Sequence, residues 1–197
     1  MSSEQNVNPL FQAALEFQEY CEKKNWKFCF FGGLAVLRWG EIRMTQDIDL
    51  CLLCGFGSEE AFITTLLKDF KSRISGAHEF AIQNRVLLLF ASNGVSIDVS
   101  LSGLPFEKKM IKRATYFEFF PNYSLLTCSA EDLVVLKTFA DRPKDWMDID
   151  GIIIRQINVL DQSYIIDQLA PLCRAKGTLE LIAKLQALFE YNKNRGC

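Results

Sequence analysis

The sequence predicts an α+β fold: a mixed β-sheet with flanking helices, followed by a helical C-terminal lobe. Three observations predict it. Apolar residues at 10, 13, 14, 17, 20 and 21 follow helical spacing, short strand-like runs separated by turn residues fill Lys27 to Thr127, and only helical periodicity remains after Ser129. The change of pattern divides the chain into residues 1–127 and 128–197.

The elements follow in order. Pro9 to about Lys24 reads as an amphipathic helix. Lys27 to Phe31 is an aromatic run that ends at Gly32-Gly33, a strand breaking into a tight turn, and Leu34 to Trp39 is a short helix stopped by Gly40. Asp47 to Leu53 alternates in part and is the next strand. Ser58, followed by Glu59 and Glu60, suits an N-cap for a helix carrying Phe62, Leu66 and Phe70 on one face. Three strands are expected next, at about His78 to Ile82, Arg85 to Ala91 and Val95 to Leu101, with Ser92-Asn93-Gly94 turning a hairpin between the last two. A basic helical piece, Phe106 to Arg113, precedes a strand pair from Thr115 to Thr127. Ser129-Ala130-Glu131-Asp132 resembles a capping box. Beyond it, helical faces are expected at Leu133, Leu136 and Ala140, at Trp146, Ile149 and Ile153, at Ile165, Leu169 and Leu172, and at Leu179, Ile182, Leu185 and Phe189.

Composition narrows the function classes. With 49% hydrophobic and 23% charged residues the chain is neither disordered nor fibrous. Lys+Arg 22 against Asp+Glu 24 gives a net charge of -2, so global charge does not draw it to nucleic acid or an acidic membrane. Any polyanion is held by a local patch. The start of the chain lacks the basic and apolar regions of a secretory signal, and the longest apolar runs, such as Val86 to Ala91, fall far short of the roughly 20 residues that span a bilayer. Seven irregularly spaced cysteines favour reduced thiols and a cytoplasmic location. Cys51-Leu-Leu-Cys54 is a lone CxxC that only His78 could complete, too few ligands for a structural zinc.

Chemistry concentrates between Phe30 and Leu52. Gly32-Gly33 lies between a strand and a helix start, where absent Cβ atoms let backbone N–H groups approach a phosphate; a purely steric corner uses the same residues. Asp47 and Asp49 share one face of their strand while Ile48 and Leu50 face the core. Paired carboxylates repel and need a cation, and oxygen donors of this kind suit Mg²⁺. On a second strand Ile97 and Val99 are apolar and Ser96, Asp98 and Ser100 polar, so Asp98 becomes a third carboxylate if the two strands are neighbours. Three acids around one or two divalent ions suit in-line phosphoryl or nucleotidyl transfer.

Gly32-Gly33, thirteen intervening residues, Asp47-x-Asp49 and a later Asp98 together resemble the DNA polymerase β-type nucleotidyltransferase superfamily. Arg43-x-Thr45-x-Asp47-Ile48-Asp49-Leu50 is similar to two small-enzyme branches, the aminoglycoside and lincosamide nucleotidyltransferases and the AbiEii-type toxins of toxin–antitoxin systems. Lys137, followed by Arg142-x-x-Asp145-x-x-Asp148, resembles the helices of the toxin branch. The resemblance covers residues 28 to 155, and it departs from the superfamily at Gly33, where Ser is common.

The resemblance implies a Mg²⁺-dependent enzyme that moves a nucleoside monophosphate from an NTP to an acceptor, which is an RNA end, a protein or a small molecule. Residues 1–127 would be its catalytic core. Asp47, Asp49 and Asp98 would be catalytic and would hold the metal, with Gly32, Gly33, Arg43, Thr45 and Lys137 binding the nucleotide. Arg142, Asp145 and Asp148 would serve either the substrate or a salt-bridge cluster at a helix start. Arg43 has the same alternative of pairing with a carboxylate, and Lys137 that of snorkelling from its helix. Lys108, Lys109, Lys112 and Arg113 form a basic run that reads as an RNA-binding patch or a solvated helix face. A cognate antitoxin is the implied protein partner. The alternative to an enzyme is an inactive nucleotide-binding or antitoxin-like regulatory protein.

Overall fold

The computed structural model describes residues 8–195; the start of the chain read for a secretory signal falls mostly outside them, as does Cys197. Two compact units divide them, one comprising residues 8–34 and 44–127 and the other residues 35–43 and 128–195. The chain leaves the first unit inside a helix, after Leu34, and returns at Met44.

The first unit is built on a seven-stranded mixed sheet. Its strands are β1 (Phe28–Phe30), β2 (Asp47–Leu53), β3 (Lys71–Ser72), β4 (Val86–Phe90), β5 (Ser96–Ser102), β6 (Thr115–Phe120) and β7 (Tyr123–Thr127). They lie in the order β3-β4-β5-β2-β1-β7-β6. The helices are α1 (Pro9–Lys23), α2 (Gly32–Trp39), α3 (Glu59–Asp69), α4 (Ala77–Asn84) and α5 (Pro105–Arg113), with α2 continuing into the second unit. The predicted alternation holds in β5, where Ile97, Val99 and Leu101 are buried and Ser96, Asp98 and Ser100 are half-exposed. In β2, Ile48, Leu50 and Leu52 are fully buried, as are Ile97 of the adjoining β5 and Leu87 and Leu89 of β4 beyond it. The β4–β5 hairpin closes through Ala91 and Val95, with Gly94 at φ +84°, a conformation glycine adopts without a steric penalty.

One predicted strand is a helix. Residues 78–82 belong to α4, which is bounded at both ends by left-handed residues, Gly76 at φ +64° and Arg85 at φ +56°. Its eight residues bury only Ala77 and Ala81, an i, i+4 pair too sparse to outweigh the apparent alternation of the sequence. Ser58 sits at the N-cap of α3 but makes no side-chain capping bond there. At the far edge β6 exposes Tyr116, Phe117 and Phe120, and its pairing with β7 slips between Glu118 and Phe120.

The second unit contains α6 (Ala130–Ala140), α7 (Pro143–Gln156), α8 (Gln162–Lys176) and α9 (Glu180–Arg195). Ser129 caps α6 by accepting from the Asp132 N–H. The buried residues of α6 are Ala130, Asp132, Leu133, Val134, Val135, Lys137 and Thr138; of the expected face Leu133 is buried while Leu136 and Ala140 are not, and charged partners on α7 make room for Lys137. Residues 35–43 belong to this unit for visible reasons. Trp39 Nε1 donates to the Cys128 carbonyl at 2.8 Å, Arg155 donates to the Gly40 carbonyl at 2.7 Å, and Gly151 lies against Glu41. The six described cysteines are buried free thiols, and burial pushes the Cys54 thiol up to about 12. Among the described residues no helix is long and apolar enough to cross a membrane.

Leu50 lies on the central strand with no exposed surface. Leu50→Ala is expected to lower the stability of the sheet unit by about 3 kcal/mol, read from urea unfolding followed by the Trp26 signal.

Candidate active site

The corner from β1 into α2 is made by one close approach. The Phe31 N–H donates to the Asp49 carbonyl at 3.0 Å, extending the antiparallel β1–β2 pairing to the residue just before the helix. Gly32 follows at φ +55°, and a Cβ placed there would stand 1.8 Å from Asp49 Oδ2. A Cβ on Gly33 would stand 2.2 Å from Thr45 Oγ1. Asp49 and Thr45 thus fill the volume the two glycines leave empty. Thr45 Oγ1 also lies 3.4 Å from Asp47 Oδ1 and 3.3 Å from the Asp47 carbonyl. A carboxylate at the first turn of a helix is favoured by the helix dipole.

Sheet register supplies the third acid. β2 and β5 are parallel neighbours, and Asp49 is paired with Asp98 while Asp47 is paired with Ser96. In-register residues of neighbouring strands point to the same face, roughly 5 Å apart, so the backbone carries Asp47, Asp49 and Asp98 on one face. Asp98 does not stand alone. Its carboxylate takes a hydrogen bond and ion pair from Arg73, which follows β3 and whose N–H donates to the Leu88 carbonyl at 3.0 Å. Leu88 is itself the cross-strand partner of Asp98, so the strand order brings Arg73 to the acid. Nothing in the local sequence marks Arg73, whose partner is fixed by the pairing of three strands.

Among the described residues no group of three or more His, Cys, Asp or Glu side chains converges closely enough to hold a metal ion by itself. The donors still suit Mg²⁺ chemically, because that ion is commonly held by one or two carboxylates and completed by phosphate oxygens and water.

The remaining predicted residues form a second group, inside the helical unit. Lys137, only 5% exposed, donates to Asp145 Oδ1 at 3.1 Å and to Asp148 Oδ2 at 2.7 Å. Arg142 grips Asp145 through Nε at 2.6 Å and a second nitrogen at 3.2 Å. Arg43 grips Asp148 in the same forked way, at 2.7 and 2.9 Å. Fork-to-fork pairing is the strong, directional form of the ion pair. Burial alone raises both carboxyls. For Asp145 the hydrogen bond from Arg142 and the charge of Lys137 outweigh it, and for Asp148 the hydrogen bonds from Arg43 and Lys137 do, leaving both below the usual carboxylate range. Of the alternatives open in the sequence, Arg43 and Arg142 both take the carboxylate partner here, and Lys137 is engaged by two carboxylates.

The fold has counterparts among solved structures. An antigenic nucleotidyltransferase-like protein from Paracoccidioides brasiliensis superposes with a TM-score of 0.50 over 94% of each chain, at 17% identity. The lincosamide antibiotic adenylyltransferase LnuA, in its lincomycin-bound form, does so with a TM-score of 0.50 over 72% of this chain and 94% of its own, at 13% identity. No curated protein matches the sequence. Residues 6–169 match the family described as nucleotidyltransferase of unknown function (DUF6036), so the chain belongs to that family and is an enzyme of nucleotidyl transfer.

Two expectations follow from the contacts above. Gly33→Ala should cost about 1–3 kcal/mol through its clash with Thr45, and Thr45→Gly should recover part of that loss in a double-mutant cycle measured by thermal melting. In the helical unit, Lys137→Met should cost about 3–5 kcal/mol because Asp145 and Asp148 would remain buried beside each other. Since both carboxyls are lowered in the folded state, their contribution is complete above the ordinary carboxylate pKa of about 4 and is lost as pH falls through the lowered folded values. Acid titration of the Lys137→Met variant should therefore show a shallower loss of stability than the parent.

Proposed function

We infer that the chain transfers a nucleoside monophosphate from a Mg²⁺-bound NTP to an acceptor hydroxyl or phosphate, releasing pyrophosphate. The single observation that carries this reading is the seating of Asp49 against Gly32 at the start of α2, with Asp98 in register on the next strand. Residues of the sheet unit do the catalytic work. Gly32 and Gly33 turn backbone N–H groups of the first helical turn toward the β- and γ-phosphates, and Thr45 adds a hydroxyl. Asp47 and Asp49 would hold the metal, and Asp98 would complete its site. When bound, Mg²⁺ neutralises phosphate charge and lowers the pKa of the attacking group. Arg73 keeps Asp98 paired and oriented until then.

Lys137 and Arg43 serve the nucleotide by position. Asp148 fixes Arg43, the last residue before Met44, Thr45 and the acids, and Lys137 fixes Asp148. The joining of Lys137, Arg142, Asp145 and Asp148 in one cluster supports an AbiEii-like reading, under which the enzyme works in the cytoplasm beside a cognate antitoxin. LnuA is an antibiotic adenylyltransferase, and a small-molecule acceptor is the competing outcome.

Incubation with each α-labelled NTP and Mg²⁺, together with total RNA, a protein lysate or an antibiotic panel, tests the reading. Label is expected in one fraction, with pyrophosphate released in proportion. Asp47→Asn and Asp49→Asn should reduce transfer by about 10²-fold or more. Transfer that survives in both variants would overturn the assignment of these acids. Arg73→Met is expected to lower the melting temperature without ligand and to enlarge the rise produced by Mg²⁺-NTP, because the carboxylate of Asp98 loses its competing cation.

A further inference from the structure

The sheet unit contains a second concave site at the opposite end of its strands from the acids. It is an open cavity of about 600 Å³, inside the size range of small-molecule sites. Leu53, at the far end of β2, helps line it. Leu53 lies six positions after Asp47, about 20 Å along an extended strand. The floor is apolar, formed by Phe28, Leu53, Ile111 and Leu126. Trp26 and Tyr116 contribute aromatic rings to the walls. Both rings are held in place. Trp26 packs on Tyr20 and Phe62 at centroid separations of 5.8 and 4.9 Å, and the Tyr116 hydroxyl donates to Glu22 at 2.8 Å.

The rim is cationic. Lys27, Lys108 and Lys112 reach it and are exposed, and no ion pair among the described residues engages them. The i, i+3, i+4 spacing of Lys108, Ile111 and Lys112 sets them on one face of α5, while Phe106 and Met110 are buried on the other. Glu22 is the one carboxylate in the described lining and accepts from the Tyr116 hydroxyl, so the lining sets three lysines against one acid. In a chain of net charge -2, three unpartnered ammonium groups over two aromatic rings are a local reversal of the overall charge. A solvated helix face needs no cavity beneath it. A purely apolar ligand needs no lysines.

We propose that this cavity binds a nucleotide, its base against Trp26 and Tyr116 and its phosphate among Lys27, Lys108 and Lys112. Aromatic rings accept any base on its π-face, and lysines take phosphate as point charges, which together form the usual platform for a single-stranded nucleotide unit. Asn25 lies at the same wall with an amide able to pair with a base edge. The occupant is either a free nucleotide or one residue of a single-stranded RNA. The site is additional to the transfer site and does not depend on the reaction assigned to Asp47 and Asp49.

Full-length protein in EDTA is titrated with AMP, with the hexanucleotide rU6 and with inorganic phosphate, followed by tryptophan fluorescence and by calorimetry. AMP, rU6 or both should bind and quench emission, and inorganic phosphate should bind at least tenfold more weakly than the better of them. Trp26→Phe should abolish the quenching. Lys108→Ala with Lys112→Ala should weaken binding at least tenfold, and Tyr116→Ala, which leaves every lysine in place, by about tenfold. Lys108, Lys112 and Tyr116 lie at the surface, and unchanged melting temperatures of all the variants confirm that they are folded. Asp47→Asn with Asp49→Asn should leave the affinities as they were. Tighter binding of rU6 than of AMP by tenfold or more identifies the occupant as RNA, and the double lysine variant should then lower the salt slope of log K by about 1.4. Equal affinities identify a free nucleotide. Absence of binding by both AMP and rU6 overturns the proposal. So does binding that survives the lysine and Tyr116 changes but disappears with the aspartate changes, or phosphate binding as tight as that of the nucleotides.

Discussion

Asp49 and Gly32 occupy one another's space. The carboxylate sits where a Cβ at position 32 would be, and the backbone at Gly32 takes a left-handed turn that starts α2 directly beneath it. Much else is arranged around this approach. β1 must pair with β2 so that the Phe31 N–H reaches the Asp49 carbonyl, Thr45 must come back over Gly33, and Asp98 must stand in register on the neighbouring strand. Any side chain at position 32 would displace that carboxylate.

The residues of this corner were legible in the sequence because each depends on a local rule. Alternation puts Asp47 and Asp49 on one face and Asp98 opposite an apolar row, and paired glycines between a strand and a helix mark a close approach. Arg73 was not legible, since its place beside Asp98 is set by β3, β4 and β5 lying side by side. The helix α4 was read as a strand because eight residues between two left-handed caps carry too little periodicity to show themselves. In α6 the expected apolar face was displaced by one that contains Lys137, and an ammonium becomes a core residue only when carboxylates from another helix meet it. These are long-range facts.

The charged cluster of the helical unit gains its order at a cost. Desolvating Lys137, Asp145 and Asp148 opposes folding, and their mutual attraction with Arg43 and Arg142 offsets that only while the geometry is kept. Such a network contributes little net stability compared with an apolar replacement, but it admits few alternative packings. It also fixes Arg43, one residue before the chain re-enters the sheet unit and two before Thr45.

The strand β6 has a consequence for handling the protein. It is the last strand of the sheet among the described residues, and it shows Tyr116, Phe117 and Phe120 at the surface. Such a border invites the matching strand of another molecule to continue the ladder. Two features oppose this: Glu118 carries a negative charge within the row, and the slip in pairing between Glu118 and Phe120 breaks the flat repeat that stacking requires. Concentrated solutions are where self-association along this border would begin, and a substitution that removes the Glu118 charge would leave only the slipped pairing to oppose it.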